Sequence, residues 1–228
     1  LVWLGGFRSD MLGEKASALH QAAEAAGWGF LRFDYSGHGE SAGRFEDGTI
    51  GAWRSDALFA IDTLSAGDLV LCGSSMGGWL AVLAALARPQ RVRALLLLAP
   101  APDFPTRLME PALDATAREA LRERGIWRRP SPYDADGYSI TRALIEESRA
   151  WTVLDGPIDF SGPVRMLHGG LDADVPPAHA LMLADRLLSQ DVVWTLVKDG
   201  DHRLSRPQDI ARMRAEALDL AAQVERSA

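Results

Sequence analysis

Leu69-Val70-Leu71-Cys72-Gly73-Ser74-Ser75-Met76-Gly77-Gly78-Trp79 runs from an apolar stretch through a glycine-serine turn into an Ala/Leu-rich segment that continues to Ala87. That order reads as strand, tight turn, helix. At the turn the pattern G-x-S-x-G has Ser75 at its centre, with small residues two before and two after it. Such spacing holds the central serine in a strained backbone conformation and lets strand and helix approach closely, the arrangement called a nucleophile elbow. The pattern alone also fits a loop that merely turns the chain. The flanking strand and helix favour the elbow.

The same alternation continues on both sides of this stretch. Apolar runs short enough to be buried strands recur at 1–4, 29–33, 69–72, 92–99, 164–168 and 192–197, and helical patterns lie between them at 14–26, 49–65, 76–87, 178–189 and 209–224. Strand and helix in alternation imply an α/β fold. The expected architecture is a mostly parallel sheet flanked by helices, with the ligand site outside the carboxyl ends of the strands. Residues 1–228 are read as one domain.

One connection breaks the rhythm. About 63 residues, 101–163, separate the strand ending near Pro100 from the one starting near Val164, far more than an ordinary connection. This segment is read as a helical lid or cap insertion with helices at 111–124 and 139–151. Its Trp127, Tyr133, Tyr138 and Trp151 either line an apolar pocket or form the insertion's own core, since both use the same residue types.

Composition sets limits on function. At 228 residues, with 47% hydrophobic and 24% charged side chains, the chain has the balance of an ordinary globular protein that can bury one sizeable core. A net charge of −7 repels nucleic acid, and no basic run offers a local exception. The single Cys72 can form no internal disulfide, and no Cys/His spacing suggests a metal site or calls for a cofactor. Cys72 itself reads as a buried strand residue. The longest apolar runs fall far short of the ~20 residues of a membrane helix. These features favour a cytoplasmic enzyme, or a mitochondrial one if a transit segment once preceded Leu1.

A serine hydroxyl needs a base to take its proton, usually a histidine oriented by a carboxylate. On a strand–elbow–helix scaffold the partners follow in the order serine, acid, histidine. His202, in the polar loop 198–202 between the last strand and the last helix, is the expected base. His168 ends a strand and is read as bracing its turn, His179 as an exposed residue at a helix start, and His38 as turn structure. Asp172 is the expected acid, because it falls in the first turn after the strand 164–168. Asp174 is the weaker candidate, more suited to capping the helix near Pro176, while Asp199 and Asp201 read as solvated loop carboxylates. For the oxyanion, the amide of Met76 at the helix N-terminus and that of Phe7 after Gly5-Gly6 are the expected donors.

With these residues in hand, the chain resembles the α/β-hydrolase superfamily, and within it the palmitoyl-protein thioesterases and their bacterial relatives. The resemblance rests on Gly6-Phe7-Arg8-Ser9-Asp10-Met11 with Gly13 and Lys15-Ala16, and on Asp34-Tyr35-Ser36-Gly37-His38-Gly39-Glu40-Ser41 with Gly43, Phe45, residues 48–51 and Trp53. It continues through Gly73 to Trp79, His168 to Pro176, and Asp199 to Ser205. It covers most of the chain to about Pro207 and is weakest over the lid. One or two further N-terminal strands usual in the fold have no counterpart here.

The resemblance implies Ser75 as nucleophile, Asp172 as acid and His202 as base. It also implies a small-molecule ester or acylated thioester substrate, activated oxoesters and acyl glucuronides included. Dehalogenase and epoxide-hydrolase chemistry is disfavoured, because those members carry aspartate at the elbow. A peptidase or carbon–carbon hydrolase on the same triad, or a non-catalytic binding protein on the scaffold, are the alternatives.

Overall fold

The computed structural model describes residues 1–131 and 134–227. In chain order its elements are β1 (Val2–Leu4), α1 (Glu14–Ala25), β2 (Leu31–Arg32), α2 (Ile50–Leu64), β3 (Leu69–Ser74), α3 (Met76–Ala87) and β4 (Val92–Leu98). After these come α4 (Ala115–Arg124), β5 (Ile126–Ser131), β6 (Asp134–Thr141), α5 (Arg142–Ser148), β7 (Val164–Gly169), α6 (Pro177–Arg186), β8 (Val192–Val197) and α7 (Pro207–Ser227). The main sheet has the order β2-β1-β3-β4-β7-β8, and every pairing in it is parallel. This is the α/β architecture expected from the alternation.

Side chains alternate across a strand, so each strand serves two cores. Val2, Leu4, Leu69, Leu71, Leu95, Leu97, Val164 and Met166 pack with α2, α3 and α6 on one face. Trp3, Val70, Cys72, Ala94, Leu96, Leu98 and Leu167 pack with α1 and α7 on the other. With both faces covered, a strand such as β3 is buried at every position, which is why it reads as a continuous apolar run. Cys72 belongs to this buried set, and burial pushes its thiol up to about 12, so it is no nucleophile near neutral pH.

The chain leaves β1 towards β2 and then returns to place β3 on the opposite side of β1. Where strand order reverses in this way, the loops at the two carboxyl ends diverge and leave a crevice. Here those loops are Gly5–Arg8 after β1 and Ser75 after β3.

The segment between β4 and β7 differs from its sequence reading. A two-stranded antiparallel hairpin, β5–β6, stands between α4 and α5, where helices alone were expected. The helix expected over 139–151 begins only at Arg142: residues 139–141 complete β6, and the Thr141 side chain caps α5 by accepting the Leu144 amide N–H. Leu121, Ile140 and Ile145 form a small buried core of this segment, with Trp127 packed against it. Among the described residues, no helix is long and apolar enough to cross a membrane.

Candidate active site

Ser75 sits between β3 and α3 with φ 54° and ψ −119°, a left-handed backbone that costs a non-glycine residue on the order of 1–3 kcal/mol. The surroundings over-determine it. The Ser75 amide donates to the Leu98 carbonyl at 2.9 Å, and the Ser75 carbonyl accepts from the amides of Gly78 at 2.9 Å and Ala101 at 3.1 Å. A Cβ on Gly73 would collide with the Gly77 carbonyl, and one on Gly77 with the Leu4 carbonyl, so only glycines let helix, elbow and β1 close together.

The Ser75 hydroxyl donates to His202 Nε2 at 3.1 Å, and His202 Nδ1 lies 2.7 Å from Asp172 Oδ2. A carboxylate only accepts, so this contact fixes the tautomer with the proton on Nδ1 and leaves Nε2 open to the serine proton. The structure therefore brings together the serine, histidine and aspartate picked out from the sequence. The loops carrying His202 and Asp172 are tied to each other by the Leu171 amide donating to the Gly200 carbonyl at 2.8 Å.

Asp172 is buried, and burial by itself would push its carboxyl up. Hydrogen bonds from His168, His202 and the Val175 amide outweigh that and hold it well below the usual carboxylate range. It stays ionised opposite His202. Asp174 is exposed, its amide donates to Asp172 Oδ1 at 3.0 Å, and it does not cap α6, whose N-cap position is Pro176.

Met76 is the first residue of α3, so its amide N–H has no acceptor within the helix. Gly6 lies against the elbow, its Cβ position 3.3 Å from the Ser74 carbonyl oxygen and 3.5 Å from Ser75 Cβ, which brings the backbone leading into Phe7 alongside the serine. The Phe7 ring is held edge-on by Phe45, Trp53, Phe104 and Tyr138 at centroid distances of 4.8–6.5 Å. His38, read from the sequence as turn structure, is buried, and its Nε2 accepts the Arg8 amide N–H at 3.2 Å, pinning the loop next to Phe7. Burial lowers the His38 pKa, which keeps Nε2 available as an acceptor.

One further sequence reading changes. His179 is buried rather than exposed, with Nε2 2.7 Å from the Pro102 carbonyl. Asp199 and Asp201 are exposed but engaged: Asp199 pairs with Arg206 at 2.7 Å, and Asp201 Oδ1 accepts the amides of Arg203 and Leu204.

A cavity of about 1120 Å³ opens above Ser75 and His202. Loops after β1 and the start of α1 give it a polar wall of Arg8, Ser9, Asp10 and Lys15, with Arg203 from the His202 loop. The 101–163 segment gives it Phe104, Leu108, Met109, Leu113, Trp127 and Tyr138. Of the aromatics singled out in that segment, Trp127 and Tyr138 line the cavity. Trp151 instead lies under the Arg54 guanidinium and donates to Glu147, and Tyr133 lies outside the described residues. Asp172, Asp174 and His202 are the only set of three or more acidic, His or Cys side chains among the described residues with ligand atoms all within 4.8 Å of one another, and two of them are already committed to the hydrogen-bonded chain at Ser75.

Sheet order, elbow and cavity at the strand-order reversal define an α/β hydrolase, and the chain belongs to that family: the family model described as serine aminopeptidase, S33 matches residues 12–147. It is 39% identical over 212 residues to the human palmitoyl-protein thioesterase ABHD10, mitochondrial, covering 92% of this chain and 69% of the relative. The crystal structure of a hydrolase from Agrobacterium vitis S4 superposes with a TM-score of 0.94 at 47% identity, covering 96% of this chain and 86% of that one. Mouse alpha/beta hydrolase domain-containing protein 10 superposes with a TM-score of 0.89 at 38% identity, covering 98% and 89%. The protein is a hydrolase.

Proposed function

We propose that this hydrolase cleaves carboxylic esters and thioesters through an acyl-enzyme on Ser75. The observation that carries the reading is the continuous chain from the Ser75 hydroxyl through His202 to Asp172, at 3.1 and 2.7 Å, beneath a cavity with one apolar wall. His202 Nε2 takes the hydroxyl proton as Ser75 Oγ bonds to the substrate carbonyl carbon, and Asp172 stabilises the imidazolium that forms. The amides of Met76 and Phe7 hold the oxyanion. As the intermediate collapses, the carbon–oxygen or carbon–sulfur bond breaks and His202 returns the proton to the leaving group. Water then repeats the sequence with His202 as base, releasing the acid and restoring Ser75.

In this reading residues 101–163 act as the lid of a single domain and present the apolar wall to the acyl chain. The thioesterase named among the relatives supports a thioester of a long acyl chain as one substrate class. Purified wild type is expected to hydrolyse p-nitrophenyl esters and S-acyl thioesters, to be labelled by a fluorophosphonate, and to lose both properties on Ser75→Ala. A wild type without turnover, or a Ser75→Ala variant with undiminished turnover, would sink the assignment.

A second reading has one observation behind it, the description of the matching family model as a serine aminopeptidase. Turnover of aminoacyl p-nitroanilides exceeding that of the esters would favour it.

A further inference from the structure

Asp172 has a second imidazole on it. His168, the next-to-last residue of β7, is fully buried, and its Nε2 lies 3.2 Å from Asp172 Oδ2 and 2.9 Å from the Val175 carbonyl oxygen. Both neighbours only accept, so the proton is on Nε2, with the Val175 carbonyl as its nearer acceptor and Asp172 Oδ2 as its longer contact. His168 Nδ1, on the far side of the ring, is buried without a hydrogen-bond partner among the described residues. The ring is thus held as one tautomer by contacts on one edge, and those contacts join the carboxylate to the backbone of its own loop.

The carboxylate is saturated as a result. Oδ1 accepts the amides of Asp174 at 3.0 Å and Val175 at 2.8 Å, while Oδ2 is divided between His202 Nδ1 and His168 Nε2. Backbone amides fix one oxygen, and His168 approaches the other from within the sheet. The position left to His202 on Oδ2 is set by where His168 sits. Two donors on one oxygen also draw off part of its charge, so each bond is weaker than it would be alone.

We infer that His168 is a positioning residue for this hydrolase: its Nε2–H fixes the direction from which Asp172 Oδ2 receives His202 and moderates how strongly that oxygen holds the His202 proton. The inference rests on the Ser75 mechanism proposed above. Removing the donor would leave Asp172 free to tilt and leave Oδ2 with His202 alone, a stronger acceptor that favours the protonated His202. The free base is then reached only at higher pH.

Other ionisable groups facing this pair are Lys15 on α1, Asp174 in the acid loop, Asp201 and Arg203 beside His202, and His179 on α6 beside His168. A substitution at His168 changes none of them chemically.

The test compares His168→Leu, which keeps apolar volume without the donor, with His168→Gln, whose amide N–H reaches about as far as Nε2–H. For p-nitrophenyl ester hydrolysis, His168→Leu is expected to lower kcat about 10- to 100-fold at little changed KM. It should also move the acid limb of the kcat/KM profile upward by on the order of half a pH unit. His168→Gln should recover most of both. Wild-type kcat with an unmoved acid limb in His168→Leu overturns the inference, as does an equal loss in both variants.

Should His168→Leu not fold, ¹⁵N NMR of histidine-labelled wild type reads the tautomer directly. Nε2 protonated and Nδ1 bare is expected, and a proton on Nδ1 overturns the inference. A wild type without Ser75-dependent turnover would break the mechanism instead, and the two failures are distinguishable.

Discussion

One wall of the cavity comes from loops fixed at the carboxyl edge of the parallel sheet, the other from a segment whose own core, among the described residues, is three buried side chains. The first is polar and carries the hydrogen-bonded chain from Ser75 to Asp172. Each part of it is held several times over: the elbow by three backbone hydrogen bonds, the loop through Phe7 by His38 and four aromatic rings, and Asp172 by two backbone amides and two imidazoles. The second wall is mostly apolar, and its segment meets the rest of the chain through contacts that include Ser139 donating to Glu46 at 3.0 Å and Glu147 accepting the Gly51 amide. Groups that must sit within a few tenths of an ångström are built on strand ends, and groups that need only be apolar and roughly in place are built on the segment added between β4 and β7.

That contrast is open to direct attack. On the polar wall, Asp172→Asn keeps the shape of the site but removes the charge that stabilises the His202 imidazolium, so kcat is expected to fall about 10³- to 10⁴-fold with KM little changed. Steady-state kinetics on a short-chain ester measure it, and a loss below tenfold would mean that the polar wall is not where the chemistry lives.

On the apolar wall, Trp127→Ala should leave acetyl ester turnover within about twofold and lower kcat/KM for a dodecanoyl ester roughly tenfold, the worth of about 1.4 kcal/mol of lost contact. An equal loss for both chain lengths would show that the two walls do not divide the work.

The smallest effect concerns Lys15, whose Nζ donates to the Arg203 carbonyl at 2.5 Å. Burial, aided by the neighbouring Arg203, lowers its pKa from 10.5 to about 8. Between those values the unfolded chain still holds a proton that the folded one has released, so raising the pH favours folding at this site. Thermal denaturation from about pH 7.5 to about pH 10 should therefore show wild type gaining a few degrees relative to Lys15→Met. A difference that does not change with pH would remove Lys15 from the buried part of the polar wall.

The polar wall was legible because its signals are local. Gly73-Ser74-Ser75-Met76-Gly77 carries the elbow within five residues, and His202 and Asp172 each follow a recognisable strand. The apolar wall was less so. Ile126-Trp127-Arg128-Arg129 looks too charged for a strand when only one face of a two-stranded ribbon is covered. The run Ser139-Ile140-Thr141 was absorbed into the helix that follows it, although Thr141 before Leu144 is a capping signal.

His179 was misread for another reason. Its burial depends on the Pro102 carbonyl, 77 residues away, and no local pattern announces such a contact. His168 was read as bracing its turn, and its Nε2 does lie 2.9 Å from the Val175 carbonyl; its contact with the carboxylate of Asp172 had no local signal.

Asp103 stands where the added segment begins, buried and with φ 53°. Its two carboxylate oxygens accept the amides of Val153 and Leu154, each at 3.0 Å. One side chain thus ties departure to return and closes a loop of 50 residues. The entropy of closing such a loop grows only with the logarithm of its length, so a clasp of this kind tolerates many sequences and lengths between its jaws. The segment is in this sense a cassette. On the function proposed above, the acyl specificity of this hydrolase could be exchanged by grafting a different segment between Asp103 and Leu154 without touching the strand ends that carry Ser75, Asp172 and His202.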